Sequence, residues 1–84
     1  MGNLIREEGQ VQIWMTPHKA GKGGWIGIFN LADHPTDVAT NVQELTNHFA
    51  CKRMYDIWNN KEVNFEGLES IHVPAYDVIF LRYE

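Results

Sequence analysis

The groups in this sequence with chemistry to offer are its carboxylates, four histidines, a single cysteine and three tryptophans. Two carboxyl groups on facing elements could work as acid and base, or as acid and nucleophile. Glu7, Glu8, Asp33, Asp37, Asp56, Glu62, Glu66, Glu69 and Asp77 are the candidates, and most fall where strands end and turns begin. Solvated carboxylates ordinarily lie there, so this spacing predicts no catalytic pair. Asp56 is the one expected to be ordered, because it precedes a turn whose backbone N–H groups it can cap. Zinc sites draw on closely spaced histidines or paired cysteines. His18, His34, His48 and His72 offer no such spacing, so no metal and no cofactor is expected. Cys51 and the distant His72 would make a thiol nucleophile and its base. Cys51 instead shares an apolar alternation with Tyr55 and Ile57, which predicts a buried, inert thiol.

Trp14, Trp25 and Trp58 allow three readings. Large aromatics in a small domain usually belong to the core. Exposed indole faces could instead stack on sugar rings, which would make the chain an independent carbohydrate-binding module. A third reading is a face built for another domain, apolar when seen in isolation. Trp14 falls on the Gln10/Gln12 side of its strand, opposite Val11, Ile13 and Met15. An exposed apolar patch involving Trp14 or the neighbours of the last strand is therefore expected.

Seven basic and eleven acidic residues leave a formal charge of −4. Phosphate neutralisation dominates nucleic-acid affinity, so no nucleic-acid partner is expected of an acidic chain without a basic cluster. No apolar run approaches the ~20 residues of a spanning helix, which argues against membrane insertion. One cysteine cannot close an intramolecular disulfide, so cysteine usage leaves the compartment open. The 84 residues suffice for one domain spanning residues 1–84. No signal peptide is visible, and the sequence reads as a piece of something longer.

The elements that must position these groups are strands. Apolar runs alternate with turn signals at roughly 8–12-residue spacing, the spacing of a sandwich or barrel. Val11, Ile13 and Met15 form one face of a strand that ends at Thr16-Pro17, where the proline cannot donate to a ladder. Gly21-Lys22-Gly23-Gly24 offers a hairpin turn. Trp25–Leu31 is apolar on both faces, Trp25/Phe29/Leu31 and Ile26/Ile28, and predicts a central strand covered on both sides. Ala32–Pro35 is a turn. Thr36, Val38, Thr40 and Val42 predict a further strand. Gln43–His48 is either a helical turn or a loop. Strands are expected around Cys51–Ile57, Val63–Phe65, Ile71–Val73 and Val78–Tyr83, with a turn at Trp58–Lys61. The sum is an all-β, small antiparallel β-sandwich of about seven to eight strands.

Three blocks in order resemble the C-terminal β-sandwich of the α-galactosidase (melibiase) glycoside hydrolase family. Gln12-Ile13-Trp14-Met15-Thr16-Pro17 leads through a glycine turn to Gly24-Trp25-Ile26-Gly27-Ile28-Phe29-Asn30. Met54-Tyr55-Asp56-Ile57-Trp58 is similar to the family's Asp-Leu-Trp strand end. Val73-Pro74-Ala75-Tyr76-Asp77-Val78-Ile79-Phe80-Leu81-Arg82 is similar to its final strand. Tyr76 stands where the family often has His, and His18-Lys19 follows the Pro turn in place of a leucine and a simple Asp-Gly turn.

The resemblance implies a non-catalytic C-terminal accessory domain of a larger glycosidase. A catalytic (β/α)₈ barrel of roughly 250 residues would lie upstream in the same chain and be the partner this domain packs against and stabilises. That barrel would hydrolyse terminal α-galactosides with retention, using two aspartates of its own. No catalytic residue carries over to residues 1–84. The resemblance also implies a secreted or periplasmic parent, and it makes Trp14, Trp25 and Trp58 candidates for the barrel-facing or sugar-stacking surface.

Overall fold

A computed structural model describes residues 2–18 and 23–84. Eight strands and one short helix follow each other along the chain: β1 (Asn3–Glu8), β2 (Val11–Pro17), β3 (Gly24–Asn30), β4 (Thr36–Ala39), α1 (Val42–Leu45), β5 (Met54–Asp56), β6 (Lys61–Glu62), β7 (Ser70–Val73) and β8 (Asp77–Tyr83). Two antiparallel sheets form, a six-stranded one in the order β1-β2-β3-β8-β5-β6 and a two-stranded one pairing β4 with β7. This is the all-β sandwich expected from the strand spacing.

The β1–β2 connection shows how local sequence sets register. Glu8 pairs with Val11, leaving Gly9-Gln10 as a two-residue loop. Gly9 takes φ +60°, which glycine adopts without steric cost at the first position of such a hairpin. Two residues farther on, Leu4 pairs with Trp14 but Arg6 pairs with Ile13. Ile5 is thus the extra residue of a β-bulge, and the bulge turns Arg6 to the inner side of the sheet. The hairpin glycines predicted between β2 and β3 fall partly on residues 19–22, outside the described residues.

Period-two alternation places the core. Ile13 and Met15 of β2, Ile26 and Ile28 of β3, Leu81 and Tyr83 of β8 and Met54 of β5 all point to one side and are buried. Val38 and Val73 from the small sheet and Leu45 from α1 close over them. A fully buried side chain of this size contributes about 1.5–3 kcal/mol relative to an exposed one. Losing the facing layer would therefore expose the whole cluster.

Four expectations are corrected. The strand predicted through Val42 stops at Ala39. Asn41 is extended there and its side chain accepts a 2.9 Å hydrogen bond from the Glu44 N–H, which starts α1. His48 N–H donates to Gln43 O and Asn47 N–H to Glu44 O, with Asn47 left-handed at φ 53°, so the helix closes in a Schellman turn. Second, the predicted Cys51–Ile57 strand begins only at Met54, and its buried residues are Met54 and Asp56, with Tyr55 on the outer side. Third, the Val63–Phe65 strand is shorter and earlier, at Lys61–Glu62. Fourth, β3 is covered on one side only: Ile26 and Ile28 are fully buried, whereas Trp25, Phe29 and Leu31 are exposed.

Candidate interaction face

The outer face of the six-stranded sheet is built by the residues alternate to the core. Strand register sets them in cross-strand rows. Leu4, Trp14, Gly27 and Phe80 share the middle row, with Gln12–Phe29–Val78 on one side and Thr16–Trp25–Arg82–Tyr55 on the other. Gly27 supplies no side chain to its row. The Phe29 ring fills that gap, its edge only 3.0 Å from where a Gly27 Cβ would stand.

Rings continue the row toward the β5–β6 turn. Trp25 and Phe80 lie nearly parallel, with centroids 5.8 Å apart and planes at 15°, and Trp58 meets Phe80 at 5.9 Å and 50°. Leu4 is 44% exposed, Trp25 and Phe29 each 36%, and Trp58 63%. The result is one apolar stripe crossing four strands, β1, β2, β3 and β8, about 14 Å by inter-strand spacing, and ending on Trp58 in the β5–β6 turn. Polar groups border it. Gln12 donates to Glu7 at 2.7 Å, and the Arg82 guanidinium stands 6.0 Å over the Tyr55 ring. An apolar centre inside a polar rim is the usual anatomy of an interface.

Each tryptophan is positioned by a local device. Trp14 donates its indole N–H to Gln12 Oε1 at 3.0 Å, which satisfies the ring's one polar group without water. Trp58 sits in a turn that Asp56 caps: its Oδ1 accepts from the Asn59 backbone N–H at 3.1 Å and its Oδ2 from the Asn59 side-chain amide at 2.9 Å. The turn also holds Asn60 at φ 54°. The cap predicted for Asp56 is thus present, on a side chain only 6% exposed. Phe29, Phe80 and Leu4 complete the stripe and were not singled out from sequence. The Val78/Phe80/Arg82 alternation against Ile79/Leu81/Tyr83 was the available signal for Phe80.

The other chemical groups are dispersed. Glu62 pairs with Arg53, Asp33 with His34, and Asp37 with His72 across the β4–β7 ladder at 2.7 Å. The backbone N–H of His18 donates to Gly23 O. His48 lies by the groove between α1 and the 65–68 loop, which Phe49, Cys51, Phe65 and Leu68 also line. Among the described residues no three His, Cys, Asp or Glu side chains gather as a metal site would require. Cys51 is half-buried and its thiol contacts Arg53 O at 3.2 Å. Burial holds its pKa above the usual thiol value despite opposing backbone hydrogen bonds from Arg53 and Glu84.

Comparison with known families supplies the context for this face. The model of the alpha galactosidase C-terminal beta sandwich domain matches residues 8–83. The chain belongs to that family. Solved structures agree on the fold. The sandwich superposes on a protein from Bacteroides fragilis NCTC 9343 assigned to the α-galactosidases/melibiases with a TM-score of 0.84 at 16% identity. It superposes on α-galactosidase I from Mortierella vinacea at 0.76 and 16%, and on a GH27 β-L-arabinopyranosidase from Geobacillus stearothermophilus at 0.79 and 11%. These matches cover 98–100% of this chain but only 18–22% of theirs, so this chain spans about a fifth of the length of each solved protein. No curated protein matches the sequence significantly.

Proposed function

We propose that this sandwich is the accessory domain of an α-galactosidase-type glycoside hydrolase and that its apolar stripe packs against the upstream catalytic barrel. Family membership supports the hydrolase context. The observation that carries the docking role is the stripe itself, Leu4–Trp14–Phe29–Trp25–Phe80–Trp58, laid across β1, β2, β3 and β8 on a sheet whose other side is already packed. Exposed apolar patches of this extent on small soluble domains ordinarily mark a surface that another body covers. In this reading the barrel performs retaining hydrolysis of terminal α-galactosides with its own two carboxyl groups. Residues 1–84 contribute stability and orientation and no catalytic group.

A substitution at the centre of the stripe tests the assignment. Phe80→Ser in the parent enzyme removes the ring that touches both Trp25 and Trp58 while leaving the inward core intact. The expected result is lower thermal stability and solubility of the whole enzyme with unchanged KM of what remains folded. Unchanged stability would refute docking through this face. Titrating the 84-residue chain with galactosides while following tryptophan fluorescence is the second arm. No response is expected at millimolar sugar, and a saturable one would make the stripe a carbohydrate-binding surface through Trp14, Trp25 and Trp58.

A further inference from the structure

The inner side of β1 makes a connection that the stripe does not use. The bulge at Ile5 sends Arg6 beneath the sheet, where one guanidinium nitrogen lies 3.0 and 3.2 Å from the two carboxylate oxygens of Glu44. Its Nε is buried and stands 3.6 Å from the Glu8 carboxylate, beyond hydrogen-bond length. Glu44 is the third residue of α1 and also accepts from the Thr40 hydroxyl. In an ordinary capping box, a glutamate there would turn back to the N-cap N–H. Here it reaches out to another strand instead.

Beyond α1 the chain is held by a short relay. Thr46 Oγ1 donates to Val42 O at 2.7 Å, Phe49 N–H to Thr46 O, and Cys51 N–H to Phe49 O. Leu45 and the Phe49–Tyr83 ring contact at 5.5 Å are its apolar anchors. Four helical residues cannot sustain themselves in water, since isolated helices need roughly 12–15. External ties must fix this end of the sandwich: Lys52 and Arg53 N–H donate to Glu84 O just past β8, and Arg6 reaches α1 from the edge strand β1.

We propose that β1 is a clasp: Arg6, locked on Glu44, keeps α1 and the 46–51 segment closed over the core, so that loosening β1 opens that end of the domain before the sheets part. The clasp stands independently of what covers the outer face. Arg6 and Glu44 are positioning residues in it, and the α1 wall of the groove beside Cys51 is what they hold in place.

Cys51 is the sole thiol and reports the opening directly. The test compares its rate of reaction with a disulfide reagent at fixed pH in the 84-residue chain, Arg6→Met, Glu44→Gln and the double variant. Hydrogen exchange of β3 and β8 amides is measured alongside. Either single change should raise the Cys51 rate about tenfold, the worth of one part-buried charged hydrogen bond, with the β3 and β8 amides unchanged. The double variant should be no more reactive than the singles. An unchanged rate, or a rise matched by equal loss of protection in β3 and β8, would overturn the clasp. Should Arg6→Met not fold, Glu44→Gln alone, which keeps the shape of the acceptor, decides between the same two results.

Discussion

Asn30 Nδ2 donates to the carbonyl oxygen of Val73 at 3.2 Å, joining the last residue of β3 in the large sheet to the last residue of β7 in the small one. The same amide reaches His34 O at 2.9 Å and Pro74 O at 3.2 Å, and Asn30 Oδ1 accepts from the Ala32 N–H at 3.0 Å. Asn30 is fully buried, and so are its bonds to Val73 O and to the Ala32 N–H. One side chain fixes two turns and the spacing of two sheets.

Replacing Asn30 should therefore be among the most damaging single changes. Asn30→Ala leaves the buried Val73 carbonyl without its donor and the buried Ala32 N–H without its acceptor, and each such group costs about 1–3 kcal/mol. Asn30→Asp keeps the size but faces a carboxylate oxygen toward carbonyl oxygens, and is expected to be worse. Urea unfolding should show a lower midpoint for both at an unchanged slope. A midpoint within error of the parent for Asn30→Ala would remove the amide from its role.

Two glycines of β3 predict opposite tolerances. At Gly24 an added Cβ would stand 2.4 Å from Thr16 O and 2.9 Å from Pro17 Cα, both backbone atoms of the paired strand. At Gly27 its nearest neighbour would be the Phe29 ring at 3.0 Å, a side chain on the open face that can tilt away. Gly24→Ala should destabilise by about 1–3 kcal/mol, as overpacking does, and Gly27→Ala by less than about 1 kcal/mol. Thermal melts of the two variants measured together decide it. Equal losses would mean the Phe29 ring is as rigid as backbone.

How much of this was legible follows from particular residues. The alternation of Val11, Ile13 and Met15 and the run Val78–Tyr83 gave β2 and β8 because one face of each stays apolar throughout. β3 misled, since Trp25 and Phe29 are as apolar as Ile26 and Ile28, and hydrophobicity alone cannot tell a core from a face awaiting cover. The boundary at Ala39 was hidden because Thr40 and Val42 continue the β-branched pattern while Asn41 caps a helix. Arg6 and Glu44, 38 positions apart, could not be paired from sequence: only the bulge at Ile5 brings them to the same side. The tryptophans were legible as candidates, but that they and Phe80 form one stripe depends on strand order.

Alkaline pH should weaken the fold. Burial raises the Cys51 thiol above its ordinary value of about 9.0. Burial first, and then the neighbouring Cys51 charge, raises the Tyr83 hydroxyl above about 10.0. Both groups thus bind protons more tightly folded than unfolded. Their contribution is fully present below pH 9 and is lost as pH rises past it. Unfolding midpoints should be level through neutral pH and fall above about pH 9, and Cys51→Ala should blunt the first part of the fall. A midpoint that rises with pH in that range would contradict the assignment.

Asp56 ties the stability of the fold to the shape of the stripe. It is buried at the end of β5, and its carboxylate holds Asn59 through both oxygens, which fixes the turn that displays Trp58 beside Phe80. Asp56→Ala removes both bonds and should cost about 1–2 kcal/mol, the ordinary worth of a cap. Asp56→Asn keeps one acceptor oxygen for the Asn59 N–H and should lose less. The distinguishing readout is optical: without the cap Trp58 leaves Phe80, and tryptophan emission should shift to the red in the still-folded Asp56→Ala protein. Loss of stability with unchanged emission would leave Asp56 holding the turn and Trp58 held by its ring contact alone.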